Sequence, residues 1–434
     1  MISQEKNIEW VVTNGLCTSC GTCAAVCPCD AISMAETGGG LLLASVDADK
    51  CNFCGICSRI CPGWHLEEGV LASDIDPFKG VVGSAYCGRA TDKELLYGAQ
   101  SGGVITALLC HLIESGYVDK AIVTQMPEDG SLRPNVIVTS DRDGILQARG
   151  SKYCPAAVNT SITGENKGTK LAAVGLSCHF HGLSNTETEH FEGHPDILLR
   201  VGLICDRTLT FRAIEHLIEK AGLSSDEVTG FEFRSKRWRG WPGDVRICTQ
   251  TQDVHNVSKR HRILCKDTFT PARCRLCFDK SNIFSDITIG DAWGLREDRE
   301  GASVILVRTQ RGLDAVLSAQ KARVITTDAI DSEAIFKGQA IERRRRDWTA
   351  YIAAWKKMGH PAPDFTIEDR WQADISNMSL RPYHRQLKWA TYLAGLDSPK
   401  QCLKAAKRHL FLLQLRRFLS PKKMVRRLFN LVRI

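Results

Sequence analysis

The chain has 434 residues, 43% hydrophobic and 24% charged, which describes an ordered globular protein of roughly two to four units and excludes a disordered or fibrous one. Its net charge of +8 is uneven: residues 400–434 hold eleven Lys or Arg and no Asp or Glu, leaving the other 399 residues at −3, so no nucleic-acid partner is expected. No basic-then-apolar leader opens the chain and no window approaches the roughly 18 apolar residues of a membrane span, so a cytoplasmic protein is expected, with its nineteen cysteines serving as ligands rather than disulfides.

"CTSCGTCAAVCP" supplies Cys17, Cys20, Cys23 and Cys27 with the spacing C-x2-C-x2-C-x3-C-P, and "CNFCGICSRICP" repeats it as Cys51, Cys54, Cys57 and Cys61. Three cysteines two residues apart can wrap one face of a cubane, a turn that Gly21 and Gly55 ease, while the fourth begins a short helix and ligates the other cluster. One [4Fe–4S] cluster is therefore assigned to Cys17, Cys20, Cys23 and Cys61, and a second to Cys51, Cys54, Cys57 and Cys27. Two complete runs ending in Cys-Pro argue against zinc sites or a disulfide framework. They resemble the bacterial two-cluster ferredoxin, an α+β head over residues 1–75. Cys29 has no place in that scheme, and "GGGLLLASVDADKC" reads as a turn and strand. Such a head carries single electrons and makes no bonds.

After the linker "DIDPFKG", strands and helices alternate. "DKAIVTQ", "NVIVTS", "KLAAVGLSC", "DILLRVGLIC", "SDITIGDAWG" and "SVILVRT" read as strands, with helices in "QSGGVITALLCHLIESGY" and "LTFRAIEHLIEKAGL". This pattern predicts an α/β body over residues 80–330 with a largely parallel sheet. Ser101, Gly102 and Gly103 stand where backbone N–H groups at a helix start can meet a phosphate, or simply cap the helix. No G-x-G-x-x-G fingerprint is present.

"TPARCRLCFDK" raises a separate question, because Cys274 and Cys277 are too few for a cluster. Cys178 and Cys205 each close an apolar strand reading, at the rim where α/β sheets bind ligands. A third [4Fe–4S] cluster on Cys178, Cys205, Cys274 and Cys277 is one reading. A set using Cys265 is another, and two core cysteines beside a zinc or nothing is a third. From residue 335 to 434 the chain turns helical and basic. "IERRRRDWTAYIAAWKKMG" reads as a solvated helix, and "QCLKAAKRHLFLLQLRRFL" and "SPKKMVRRLFNLVRI" as amphipathic segments. In the last, Ser420 is an N-cap before Pro421, and Met424, Val425, Leu428, Phe429 and Val432 form one stripe. The tail suits an anionic membrane surface, which would place the protein peripherally on the inner face, or a partner-docking helix.

The order of these motifs, with "QSGGVITALL", "GSKYCPAAVN", "GLSCHFHGL", "GLIC", "CRLC" and "SDITIGDAWG", resembles the beta-subunit family of coenzyme F420 hydrogenase and dehydrogenase over roughly residues 15–310. The resemblance implies FAD and a [4Fe–4S] cluster in the body, and Cys178, Cys205, Cys274 and Cys277 match the family's body cysteines. Ser101, Gly102, Gly103, Thr106, Ser151, Lys152 and Tyr153 match its flavin-contacting segments. Lys152 would stabilise a reduced flavin or bind its phosphates, unless it is a surface lysine. Asp286, Asp291 and Trp293 match a strand and loop near the cluster, for packing or substrate contact. "GLSCHFHGL" departs from the Pro-Cys-Gln pattern of many relatives, and His179 and His181 read as loop residues rather than ligands. The expected function is an iron–sulfur flavoprotein oxidoreductase relaying electrons between the clusters, FAD and a two-electron substrate. Reduced ferredoxin or coenzyme F420 would be its electron partner. The alternative is an electron-transfer beta subunit of a hydrogenase or formate dehydrogenase complex.

Overall fold

A computed structural model of the chain describes residues 7–66, 74–188 except 163, 165 and 167, 197–365 and 367–418. The amphipathic segment expected after Ser420 lies outside these residues. In the head, strands β1 (Ile32–Glu36) and β2 (Leu42–Val46) form an antiparallel hairpin pairing Ile32 with Val46. Each cysteine run turns into a short helix, Thr22–Ala25 and Ile56–Arg59. Gly21 (φ +83°) and Gly55 (φ +71°) cap those helices in the left-handed region, which residues with a Cβ avoid.

The body contributes β3 (Ser84–Ala90), β4 (Lys120–Gln125), β5 (Asn135–Thr139), β6 (Leu171–Gly175), β7 (Ile197–Leu203), β8 (Val228–Ser235), β9 (Asp244–Thr249), β10 (Val254–Val257), β11 (Ile287–Asp291), β12 (Ser303–Val307) and β13 (Ile325–Ala329). Eight of these form one sheet in the order β13-β3-β12-β11-β7-β6-β4-β5. The four middle strands, β11, β7, β6 and β4, run parallel, and antiparallel strands extend the sheet on both sides. The parallel arrangement inferred from the apolar runs therefore belongs to the centre of a mixed sheet. Along β12, Ile305 and Val307 enter one core while Val304 and Leu306 enter another, the period-two alternation of a strand buried on both faces. Helices Val104–Glu114 and Gln310–Lys321 cover the first face. Helix Ser177–Thr188 lies on the other through Phe180 and Leu183.

A second, three-stranded antiparallel sheet, ordered β10-β9-β8, was not anticipated from the sequence. Its core gathers Phe231, Phe233 and Val245 with helices Arg212–Lys220 and Lys259–Phe269. Helix Pro399–Phe418 docks there through Ala406 and Leu410, while Phe411, Leu412 and Leu415 stay exposed.

The arginine run does not lie on a solvated helix. In helix Ile341–Lys357, Trp348 and Trp355 are buried, and Trp348 Nε1 donates to Leu276 O at 3.1 Å. Arg344 is also buried and pairs with Asp206 at 2.9 Å, and Arg345 pairs with Asp76 at 2.6 Å. His179 and His181 are buried helix residues rather than loop residues. His179 Nδ1 accepts from Leu176 N at 3.0 Å, which leaves Nε2–H to donate to Ala156 O at 3.1 Å. His181 stacks on Phe284 with ring centroids 5.0 Å apart. Burial holds both imidazoles neutral, with pKa values pushed down to about 4 and about 3.

Candidate functional site

The thiols of the two head runs lie within one another's electrostatic reach, Cys61 with the first run, Cys27 with the second and Cys57 with Cys23. Burial, and after it the thiols of Cys20, Cys17 and Cys61, push the Cys23 thiol up. Burial likewise raises Cys57 to about 11, with Cys54, Cys27 and Cys51 adding to the effect. Cys54 lies at the surface, next to Phe53, which is 60% exposed. Backbone N–H groups of Ala31 and Gly63 approach Cys27 Sγ at 3.3 Å and Cys61 Sγ at 3.4 Å, the donors that stabilise a thiolate.

Cys178 stands in the first turn of helix Ser177–Thr188, three residues beyond the end of β6, and Cys205 follows β7. Burial raises the Cys178 thiol first, followed by Cys20, Cys205, Cys277 and Cys274. The two strand ends and the C-x2-C loop therefore meet, and a head cysteine adjoins them. Thr208 Oγ1 lies 3.3 Å from Cys274 Sγ. The rival Cys265 is instead fully buried in the core of the small sheet. Among the described residues no three His, Cys, Asp or Glu side chains converge as a single metal ion requires. A cubane is larger than one ion and separates its four thiolates further. The donor set suits it: Cys178, Cys205 and Cys277, raised by burial and by neighbouring thiols, need a bound cationic group to ionise, and Cys274 stands beside them.

Head and body meet at this point. Arg273, one residue before Cys274, is buried and donates to Pro62 O (2.8 Å) and Gly63 O (3.0 Å) beside Cys61. Asn159 N donates to Cys20 O at 3.1 Å, and Asn159 Nδ2 bridges Thr22 Oγ1 and His179 O.

A cavity of about 280 Å³ opens at the carboxyl end of the parallel strands. Ser101, Gly103, Thr106, Ser151, Lys152 and Tyr153 all line it, and so does Cys205. Gly102 does not. Its N–H donates to Ser303 Oγ at 3.1 Å, and a Cβ there would lie 2.6 Å from both Gly88 O and Ser303 N. Its glycine serves packing. Lys152 is not a surface lysine: Nζ donates to Ala148 O (2.6 Å) and Arg149 O (3.0 Å), and burial pushes its pKa down to about 7. Ser151 N donates to Gln100 Oε1 at 2.9 Å. A neighbouring cavity of about 630 Å³ shares Gln100 and residues 149–152 with the first, and Arg149, Arg237 and Arg246 line it.

The sequence reading missed the cavity's arginines. Arg234 is held by Asp291 at 2.6 and 3.1 Å and donates to Tyr153 Oη at 3.2 Å. It lies on β8, opposite Phe231 and Phe233, so overlooking that strand hid it. Arg262 and Lys266 both line the cavity, at the i, i+4 spacing that places them on one face of helix Lys259–Phe269. Asp286 is a packing residue, accepting from Arg200 N (2.8 Å) and Thr309 Oγ1 (2.6 Å). Trp293 packs on Trp241 with ring centroids 4.3 Å apart.

Two family models described as Coenzyme F420 hydrogenase/dehydrogenase, beta subunit, match the chain: the N-terminal part over residues 85–163 and the C-terminal part over residues 168–333. The chain belongs to that family. A 4Fe-4S dicluster domain matches residues 16–63 in addition. This member of the coenzyme F420 hydrogenase/dehydrogenase beta-subunit family is thus an iron–sulfur electron-transfer protein. It is 23% identical over 378 residues to a coenzyme F420-dependent sulfite reductase of Methanocaldococcus jannaschii, covering 80% of this chain and 54% of the reductase. It is 26% identical over 288 residues to the coenzyme F420 hydrogenase subunit beta of Methanothermobacter thermautotrophicus, covering 63% of this chain and 95% of that subunit. A chain of the F420-reducing [NiFe] hydrogenase complex from Methanosarcina barkeri shares the fold, with a TM-score of 0.52 and 22% identity over 67% of this chain and 97% of that one. Among the described residues, no helix of this family member is long and apolar enough to cross a membrane.

Proposed function

We propose that the chain is an iron–sulfur flavoprotein oxidoreductase, with a ferredoxin-like head (residues 1–75), a flavin and cluster body (80–330) and a basic helical tail (335–434). The observation that carries this reading is the double position of Cys205, which belongs to the body thiol set and also lines the cavity. Cys17, Cys20, Cys23 and Cys61 would hold one cubane, Cys51, Cys54, Cys57 and Cys27 a second, and Cys178, Cys205, Cys274 and Cys277 a third. Ser101, Gly103, Thr106 and Ser151–Tyr153 would line the flavin. When bound, such cubanes carry single electrons, and a flavin exchanges one electron with them and two with an organic substrate.

The protein's own contribution is position and dryness. Arg273 and Asn159 hold the head against the body beside Cys61 and Cys20, next to Cys178. The surface position of Cys54 and Phe53 favours that end of the head for an external one-electron partner such as ferredoxin. The larger cavity shares a wall with the first and is lined by Arg149, Arg237 and Arg246 with Glu128, Asp143 and Glu232, a polar site that favours a polar two-electron substrate there, coenzyme F420 among the candidates. Turnover of a candidate substrate by the single purified chain tests the reading. Activity only after adding a partner chain would favour the alternative of an electron-transfer subunit, which the hydrogenase beta-subunit relatives support.

Exposed Phe411, Leu412 and Leu415 beside the tail's cations favour a peripheral contact with anionic lipid. Co-sedimentation with phosphatidylserine vesicles should fall when Phe411 and Leu415 are changed to Ser, and an unchanged yield would exclude the contact.

A further inference from the structure

In the sequence, Lys152 and the Ser101–Gly103 turn are candidates for binding a phosphate. In the folded chain the Lys152 ammonium is spent on two backbone carbonyls and the Gly102 N–H on Ser303. One cationic group on the cavity wall is not spent. Arg262 is 7% exposed, its Nε is buried without a partner, and its guanidinium makes no hydrogen bond or ion pair among the described residues.

Its neighbours do not compensate the charge. The guanidinium lies over the Tyr153 ring, 5.5 Å from the centroid, and a ring face offsets only part of the desolvation of an ion. The nearby Arg234 already has its own carboxylate in Asp291, with two hydrogen bonds. Arg234 therefore adds like-charge repulsion, and burial together with that repulsion lowers the Arg262 pKa. One turn along the same helix, Lys266 lines the same cavity, though its Nζ lies 3.6 Å from Asp206. A buried, unpaired guanidinium on the wall of a cavity is stable only if an anion arrives there. A guanidinium matches a phosphoryl oxygen pair in charge and in its forked geometry.

We infer that Arg262, on helix Lys259–Phe269, is the anion-binding residue of the 280 Å³ cavity, pairing with a phosphoryl group of the ligand bound there. With the flavin reading of the preceding section, on which this rests, the group is a phosphate of the flavin dinucleotide. Arg234 with Asp291 then keeps Tyr153 in place under Arg262, and Lys266 supplies a second cation along the same face.

The test uses the full chain with its clusters intact and its flavin removed. Binding of FAD, riboflavin and inorganic pyrophosphate is followed by calorimetry or flavin fluorescence. Arg262→Gln should weaken FAD about tenfold or more, the loss of one charged hydrogen-bonded contact, and leave riboflavin within about twofold of the parent. Arg262→Lys should recover much of the FAD affinity. Flavin-free Arg262→Met should unfold at or above the temperature of the flavin-free parent, because it removes an uncompensated buried charge. FAD affinity unchanged in Arg262→Gln, or FAD and riboflavin weakened equally, overturns the assignment while leaving the flavin reading intact. If the parent takes up neither flavin but binds pyrophosphate in an Arg262-dependent way, the flavin reading fails and the anion subsite stands. If pyrophosphate does not bind either, both fail.

Discussion

Cys20 and Cys178 belong to different thiol sets and different parts of the chain, yet each lies within the other's electrostatic reach. Arg273 shows why that closeness is fixed: its backbone joins the C-x2-C loop, and its side chain binds the two carbonyls that follow Cys61. One arginine thus ties the C-x2-C loop of the body to the second cysteine run of the head. Among residues without a ligand role, His216 carries a clear pH signature. It packs on Phe269, its Nδ1 is buried without a partner, and burial pushes its pKa from 6.5 down to about 4. The folded chain therefore refuses a proton that the unfolded chain accepts between those two values. That stability is present above pH 6.5 and is lost as pH falls towards 4, amounting to roughly 3 kcal/mol at most. His216→Phe should flatten this part of the acid limb, measured as the difference in urea midpoint between pH 7 and pH 5 in variant and parent. An unchanged difference would show that His216 is not responsible.

At the scale of elements, helix Ile341–Lys357 separates two adjacent arginines by their surroundings. Arg344 faces inward onto Asp206, which also meets Arg207 at 2.9 Å, Lys266 at 3.6 Å and Lys280 at 3.9 Å. Burial opposes ionisation of Asp206, but these four cations together hold its carboxyl well below the usual carboxylate range. Arg343, one position earlier, has a side chain 73% exposed and reaches only Asp347. Arg344→Met should lower stability by about 1–3 kcal/mol, since three cations still face Asp206, whereas Arg343→Ala should stay within about 0.5 kcal/mol. Thermal unfolding of both variants beside the parent measures this, and equal effects would contradict the inward orientation. Four consecutive arginines hide the wider spacing of Trp348, Ala354 and Trp355, whose burial marks the inner face, with the Trp348 indole bonded to Leu276 O inside the C-x2-C motif.

At the scale of the whole molecule, the head and the four parallel strands were legible because their signals are local: ligand spacing in one case, short buried apolar runs in the other. β3 and the small β8–β10 sheet were not. Gly88 and Arg89 interrupt β3, and β8–β10 mix charged and polar residues with their apolar ones. The grouping of Cys178 and Cys205 with the C-x2-C loop was legible only as one option among three, because the meeting of two strand ends depends on strand order, which spacing does not encode. Arg262 could not be singled out from sequence at all, since its distinction is the lack of a partner. The proposed function requires the body, and not the head alone, to hold cofactors. Its most direct measurement is the iron and flavin content of the anaerobically purified chain, beside the double variant Cys274→Ser, Cys277→Ser. The expected result is about twelve irons and one FAD per chain, falling to about eight irons in the variant. About eight irons and no flavin in the unaltered chain would contradict it.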